Sequence, residues 1–226
     1  MTGRDLVVFD VDGTLVDSQH HILDAMRFAF GEAGLPMPER ETALAVVGLS
    51  LPVAMARLAP DLAAEEVEAL VAHYRASFMD RRRGEDGLPP LYPGARAALE
   101  RLAAPPGTLI GVATGKARRG LDHILAGHGL AHFVATAQTA DDHPSKPHPS
   151  MLLATLAATG VAADRAVMVG DTAFDVAMGR AAGMATIGVA WGYHPRTRLA
   201  AAGADAIIES FDALDPALAR LRERRR

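Results

Sequence analysis

The chain is 226 residues long, half hydrophobic and 22% charged, with a formal net charge of −4 at pH 7. That length fits one large domain, or one domain carrying a smaller one, at about 100–200 residues per domain, and it can build a core without disulfides or structural metal. The absence of cysteine excludes thiol catalysis and Cys-ligated metals, the balance of charge lacks a nucleic-acid binder's basic footprint, and no apolar run is long enough to span a membrane.

In chain order, Leu6 to Phe9 is a short apolar run that ends at an acid and reads as a buried strand. It runs into Asp10-Val11-Asp12-Gly13-Thr14. In extended chain, side chains two residues apart point the same way, so Asp10 and Asp12 are expected to face one space and to titrate as a coupled pair. One could be an ionised nucleophile while the other exchanges a proton, and both could help to hold a hard cation. Gly13 and Thr14 let the chain turn and offer backbone N–H donors. Taken alone, the stretch could equally be a surface turn.

From Gln19 to Gly87 the patterns are helical only. Ile22, Ala25, Met26, Ala29 and Phe30 recur at helical spacing, as do Val67, Leu70, Val71, Tyr74 and Phe78. The Gly/Pro-rich stretch Asp86 to Gly94 closes this segment. Two units are therefore expected, an α/β core of residues 1–18 and 88–226 and an all-helical insertion of residues 19–87. Arg57 could meet a substrate carboxylate but reads first as a solvated helix residue, as do Arg81 to Arg83. His20 and His21 could approach a leaving group but read first as surface or core histidines, and Asp17 and Ser18 read as supports of the hinge.

Beyond the insertion, strands at Thr108 to Ala113, Phe133 to Thr136, Ala166 to Val169, Ala185 to Ala190 and Ala206 to Ile208 alternate with helical patterns. Those patterns are Gly94 to Ala103, Lys116 to Ala126, Pro149 to Thr159, Phe174 to Ala182 and Arg196 to Ala202. The alternation is the signature of a doubly wound, Rossmann-like α/β fold with a parallel sheet, whose ligands sit at the carboxyl ends of the strands. Thr114-Gly115-Lys116 follows the second strand. It reads as a hydroxyl and a flexible glycine at a helix start suited to phosphate, or as an ordinary Thr cap. Lys146 stands between Ser145 and Pro147. Proline restricts the residue before it, so this lysine is better placed to meet an anion than one on a mobile face. Gly170-Asp171-Thr172 follows the fourth strand, with Asp175 one turn later. These acids could line a site or merely cap the next helix. Trp191 and Tyr193 read as core packing, and the tail ending RERRR as a solvated helix end where cations suit the dipole.

Each signal has an ordinary structural explanation. All four stand in fixed order at carboxyl sides of strands, and together they supply acids for a cation, a hydroxyl with N–H donors and a lysine. Attack on a phosphoryl group needs that set, because its catalysis is mostly positioning and charge neutralisation.

The set Asp10-Val11-Asp12-Gly13-Thr14, Thr114, Lys146 and Gly170-Asp171 with Asp175 resembles the haloacid dehalogenase superfamily. The helical insertion after the first strand is similar to the α-helical cap of its phosphoglycolate phosphatase-like subgroup. The resemblance implies that Asp10 is the nucleophile of an aspartyl-phosphate and Asp12 the general acid and then base. Mg²⁺ would be held by the Asp10 carboxylate, the Asp12 backbone carbonyl and Asp171, with Asp175 supporting that site or the lysine. Thr114 and the Gly115 N–H would hold phosphoryl oxygens, and Lys146 would neutralise charge. Gly13, Thr14 and Ser50 would complete the substrate site. Ser50 lies in VVGLSLP, Val46 to Pro52, which resembles the loop these caps place over the substrate; Ser50 could equally cap a helix.

Several relatives are disfavoured. Dehalogenating members lack an acid at the position of Asp12, mutases often carry Val where Thr14 stands, and phosphonate hydrolases need a cap lysine that Gln19 to Gly87 does not contain. The implied enzyme is a Mg²⁺-dependent phosphatase of a small phosphorylated metabolite, phosphoglycolate foremost. It is expected in the cytoplasm as a monomer or homodimer, without nucleic-acid or membrane partners. Pyrophosphatase, 5'-nucleotidase and sugar phosphatase are alternatives within the superfamily. A phosphoacceptor regulatory domain is the alternative outside it, although such a domain needs neither Asp12 nor a helical unit between its first two strands.

Overall fold

A computed structural model of the chain describes residues 4–81 and 87–224. The readings of Phe78, of Arg81 to Arg83 and of the last two arginines lie outside the described residues or their side chains.

The first strand, β1 (Asp5–Phe9), is followed by four helices: α1 (Gln19–Glu32), α2 (Arg40–Leu44), α3 (Leu51–Leu58) and α4 (Ala64–Arg81). The chain then alternates through α5 (Ala95–Ala103), β2 (Thr108–Thr114), α6 (Arg118–Gly127), β3 (Val134–Thr139), α7 (Ser150–Thr159), β4 (Ala166–Gly170), α8 (Ala173–Ala181), β5 (Ala185–Val189), α9 (Arg196–Ala201), β6 (Ala206–Ile208) and α10 (Leu214–Arg224). The strands form one sheet in the order β3-β2-β1-β4-β5-β6, and every pairing is parallel. This is the expected doubly wound, Rossmann-like arrangement.

Alternation along β1 explains why it lies at the centre. Val7 and Phe9 join the core on one sheet face with Leu99, Leu121 and Leu218, while Leu6 and Val8 join the other with Met151, Leu152 and Met178. A strand apolar on both sides needs helices on both faces, which only a crossover-connected parallel sheet supplies. The chain leaves β1 in one direction for β2 and β3, then crosses back to β4 on its other side. The carboxyl ends of β1 and β4 therefore flank the crevice where such sheets bind ligands.

The helical insertion has its own apolar cluster, including Ile22, Met26, Phe30, Met55, Leu70 and Val71. Its two connections to the sheet are zipped together: Asp17 N–H donates to Pro90 O at 2.8 Å and Tyr92 N–H to Leu15 O at 3.0 Å. Asp17 thus contributes to the hinge through its backbone.

Element ends differ from the sequence reading at several places. The third strand lies at Val134–Thr139 and not at Phe133 to Thr136, because Ala131–Phe133 form a short 3-10 turn. Gly94 does not belong to α5 but precedes it as its N-cap, with φ +82°, a backbone region that glycine adopts without penalty. The largest consequence is at α6. It starts at Arg118 with Ala117 as N-cap, so Thr114 ends β2, Gly115 and Lys116 follow in the connection, and the stretch is neither a helix start nor the Thr cap of α6.

Candidate active site

Asp10 is the first residue beyond β1, and its N–H still donates to Val169 O of β4 at 3.0 Å. The strand thereby delivers a carboxylate to the crevice with almost no freedom, and Asp10 is 1% exposed. Lys146, equally buried, approaches from the loop after β3. Its Nζ stands 3.0 Å from Asp10 Oδ1 and 2.7 Å from Asp175 Oδ1. Asp175 is fixed in turn by the start of α8. Thr172 caps that helix, and Asp175 Oδ2 accepts from Thr172 N–H at 3.0 Å and from its hydroxyl at 2.6 Å. Both Asp175 oxygens are thus engaged, which makes it the anchor of the lysine.

Asp171, the first residue after β4, is held by a different set. Its Oδ1 accepts from the Thr14 hydroxyl at 2.9 Å and its Oδ2 from Tyr193 N–H at 2.8 Å. Gly13 makes the approach possible. A Cβ there would lie 2.3 Å from Asp171 Oδ2, and its φ of +84° suits glycine alone.

Carboxylate oxygens of Asp10, Asp171 and Asp175 lie within 4.8 Å of one another, and among the described residues only Lys146 pairs with them. The electrostatics follow from this crowding. Burial, opposed by Lys146 and reinforced by Asp175 and Asp12, pushes the Asp10 carboxyl up to about 7. Burial, then the charges of Asp175 and Asp10, hold Asp171 well above the usual carboxylate range. Burial opposes the charge of Lys146, but Asp10 and Asp175 outweigh it and keep the ammonium above its ordinary value. Asp10 Oδ2 has no hydrogen-bond partner among the described residues. A buried oxygen without a partner, in a cluster of three acids with one lysine, is the donor set a hard divalent cation fits.

Asp12 lines the same cavity as Asp10 but is held by other partners. Its Oδ1 accepts from the Ser18 hydroxyl at 2.5 Å, and its Oδ2 pairs with Lys116 Nζ at 3.0 Å. Ser18 also meets the Tyr193 hydroxyl at 3.1 Å. Because Ser18 gives its proton to Asp12, Tyr193 donates to Ser18. Burial, then the charge of Asp12, keep that phenol protonated by raising its pKa. The expected coupling of Asp10 with Asp12 is therefore minor: Asp10 titrates mainly against its burial, Lys146 and Asp175.

Asp10, Asp12, Thr114 and Gly115 open onto a cavity of about 510 Å³ whose far wall is the helical insertion. The segment Gly48 to Ser50 closes directly over Gly115, where a Cβ would lie 2.5 Å from both Gly48 O and Leu49 O. Two bonds tie the insertion down. Ser50 N–H donates to the Ser145 hydroxyl at 2.8 Å, and His194 bridges Ala173 N–H at 2.9 Å and Ala45 O at 3.1 Å. Ser50 lines the cavity, and its side chain makes no cap bond to α3.

Most residues singled out in the sequence converge here, with corrections. The N–H groups of Gly13 and Thr14 are not donors to a ligand: they bond to Val16 O at 2.9 Å and Val11 O at 3.2 Å within the turn. Thr14 acts through its hydroxyl on Asp171. His20 pairs with Asp24 on the surface, His21 bonds Gly87 O, and Arg57 lies over the Phe174 ring, so none of them reaches the acids. Ser18, read as a hinge support, and Lys116 hold Asp12; Tyr193 packs against the insertion's cluster as a core residue and also meets Ser18; His194 was not singled out. Lys116 directly follows Thr114-Gly115, and reading it as a helix residue hid it. Trp191 does pack in the core against Phe211, and its Nε1 also donates to Thr14 O at 3.1 Å.

Comparison with known proteins agrees with this geometry. A model of the haloacid dehalogenase-like hydrolase family matches residues 7–189. A Dickeya dadantii protein named "Probable phosphatase IndB" is 36% identical over 212 residues, covering 92% of this chain and 90% of that protein. A phosphoglycolate phosphatase of Rhodospirillum rubrum is 34% identical over 218 residues, covering 92% of this chain and 88% of its own. The crystal structure of a Haemophilus somnus protein, described as a predicted phosphoglycolate phosphatase, shares the fold with a TM-score of 0.83 at 24% identity, over 96% of this chain and 98% of that one.

Proposed function

The chain belongs to the haloacid dehalogenase-like hydrolases and is a phosphatase of that family, and we propose that it hydrolyses a small phosphomonoester with Mg²⁺ through a phosphorylated Asp10. The observation that carries this reading is Asp10: a buried carboxylate that lines the cavity with Thr114, whose Oδ1 meets Lys146 at 3.0 Å and whose Oδ2 has no partner among the described residues.

Asp10 attacks phosphorus, and the bond from phosphorus to the ester oxygen breaks. The leaving oxygen takes a proton from Asp12, which Ser18 and Lys116 hold in place. Water then attacks the acyl phosphate, Asp12 takes its proton, and phosphate leaves with Asp10 restored. The Thr114 hydroxyl and Gly115 N–H face the phosphoryl oxygens, and Lys146 offsets their charge while fixing Asp10. Mg²⁺ would be held by the Asp10 carboxylate, the Asp12 carbonyl and Asp171, and supplies further charge neutralisation. The insertion acts as a cap that excludes water and selects the leaving group. Among the described residues no helix is long and apolar enough to cross a membrane, and the proposed setting is the cytoplasm.

The test is phosphate release from phosphoglycolate, pyrophosphate, sugar phosphates and nucleotides, with Mg²⁺ and with EDTA. Phosphoglycolate comes first because relatives carry its name. Turnover with Mg²⁺ that EDTA abolishes is the expected result. A phosphorylated Asp10 that persists for minutes without turnover would favour a phosphoacceptor domain. The cap role has its own test. Gly115→Ala puts a Cβ into Gly48 O and Leu49 O, so the loop must lift. A displacement of the substrate by about 1 Å is enough for a loss of about 10²-fold in kcat/KM. Equal kinetics in the variant would show that closure over Gly115 is not required.

A further inference from the structure

The cavity does not end at the phosphoryl site. Beyond Asp10, Asp12 and Thr114 it is walled by Ile22, Met26, Val46, Val47, Leu49 and Ala54 of the insertion. All six are buried or nearly so, and they belong to the insertion's apolar cluster or pack beside it. A volume of about 510 Å³ is in the range that takes a drug-sized molecule, about 300–1,000 Å³, and far exceeds what a two-carbon acid fills.

On the insertion's side the polar lining residues are Ser50, Tyr74 and Arg75; the Ser50 N–H is spent on Ser145 and Arg75 is exposed, while Lys116, which pairs with Asp12, Arg119 and Asp141 line the core's side. A sugar or ribose would bring several hydroxyls against apolar side chains, and burying a hydroxyl without a partner is unfavourable. A hydrocarbon surface has no such cost and gains from leaving water. We infer that the cavity is built for a phosphomonoester whose leaving group is substantially apolar, an alkyl chain or an aromatic ring, larger than glycolate. This rests on the reading of Asp10, Thr114 and Gly115 as the phosphoryl end.

Alkylphosphonates separate the two claims, because their P–C bond is not an ester and binding is measured without turnover. Titration calorimetry with Mg²⁺ would give Kd for ethyl-, butyl- and hexylphosphonate and for 3-phosphonopropionate, which has the shape of phosphoglycolate. Kd is expected to fall about fourfold per methylene along the alkyl series, with hexylphosphonate tighter than 3-phosphonopropionate. Met26→Gln and Val47→Asn, each confirmed as folded by thermal melting, should flatten the series to less than about twofold per methylene. A Kd independent of chain length, tightest binding of 3-phosphonopropionate, or a series equally steep in the variants would overturn the inference. A steep series without hydrolysis of butyl or hexyl phosphate would instead sink the hydrolytic reading and leave the binding inference standing. Hydrolysis with a flat series would do the reverse.

Discussion

Asp10→Asn is expected to lower phosphate release by about 10⁴-fold or more while leaving the metal-free protein folded and, near pH 8, more stable. The loss of activity follows because a carboxamide is not a nucleophile at phosphorus. The gain in stability follows from burial. The folded-state pKa of Asp10 is pushed up from 3.8 to about 7, so its carboxyl keeps its proton in the folded chain over a range where the unfolded chain has lost it. Stability held by that proton is fully present below pH 3.8 and is lost as pH rises to about 7. At 1.36 kcal/mol per pKa unit, the loss is on the order of 4 kcal/mol. Asp171, also raised, works in the same direction. Asparagine at position 10 removes the Asp10 contribution, and Lys146 retains Asp175 as its partner at 2.7 Å. Thermal melts in EDTA between pH 5 and pH 8.5 measure this. The parent should lose stability across the range and the variant should lose less. Parallel curves would mean that the charge of Asp10 is already compensated without metal.

The same residues show what a one-dimensional reading reaches. Strands and their carboxyl ends were legible because apolar runs, glycines and acids are local signals, and the alternation with helices implies a parallel sheet, whose strand order only the structure gives. Asp10, Lys146, Asp171 and Asp175 stand at those ends, so topology brings them together. The support around them was not legible. Tyr193 lies 175 positions from Ser18, and only the fold puts its hydroxyl on the serine that holds Asp12. Lys116 was visible but misassigned, because Thr-Gly-Lys has the composition of a helix start. Only the structure shows that α6 begins two residues later and frees Lys116 for Asp12. Gly13 and Thr14 show the opposite failure. Their N–H groups looked available, yet a tight turn consumes its own donors. Cap specificity was hidden for a further reason. Helical spacing shows which residues are apolar, but not which of them face the cluster and which the cavity.

Lys146→Met should be the most damaging single change to the folded protein. The side chain is fully buried and is the ammonium that meets Asp10 at 3.0 Å and Asp175 at 2.7 Å. Methionine has comparable length, so the loss is one of charge more than of packing. Three clustered carboxyls would then have no cation among the described residues. Breaking a buried pair by removing one partner costs about 3–5 kcal/mol. For a chain of this size that corresponds to a fall in Tm of roughly 6–20 °C. The penalty should be full near pH 8 in EDTA. It should shrink toward pH 5, where Asp10 and Asp171, both raised by burial, take up protons. Mg²⁺ in excess should restore part of the stability, since a ligand that binds only the folded state stabilises it by mass action. It should not restore turnover, because the donor that fixed Asp10 and offset phosphoryl charge is gone; a loss of about 10²–10³-fold in kcat is expected. A variant melting within about 2 °C of the parent at pH 8 in EDTA would mean that the acids already hold protons in the native chain. Lys146 would then serve the phosphoryl group alone, and its kcat defect would persist at every pH.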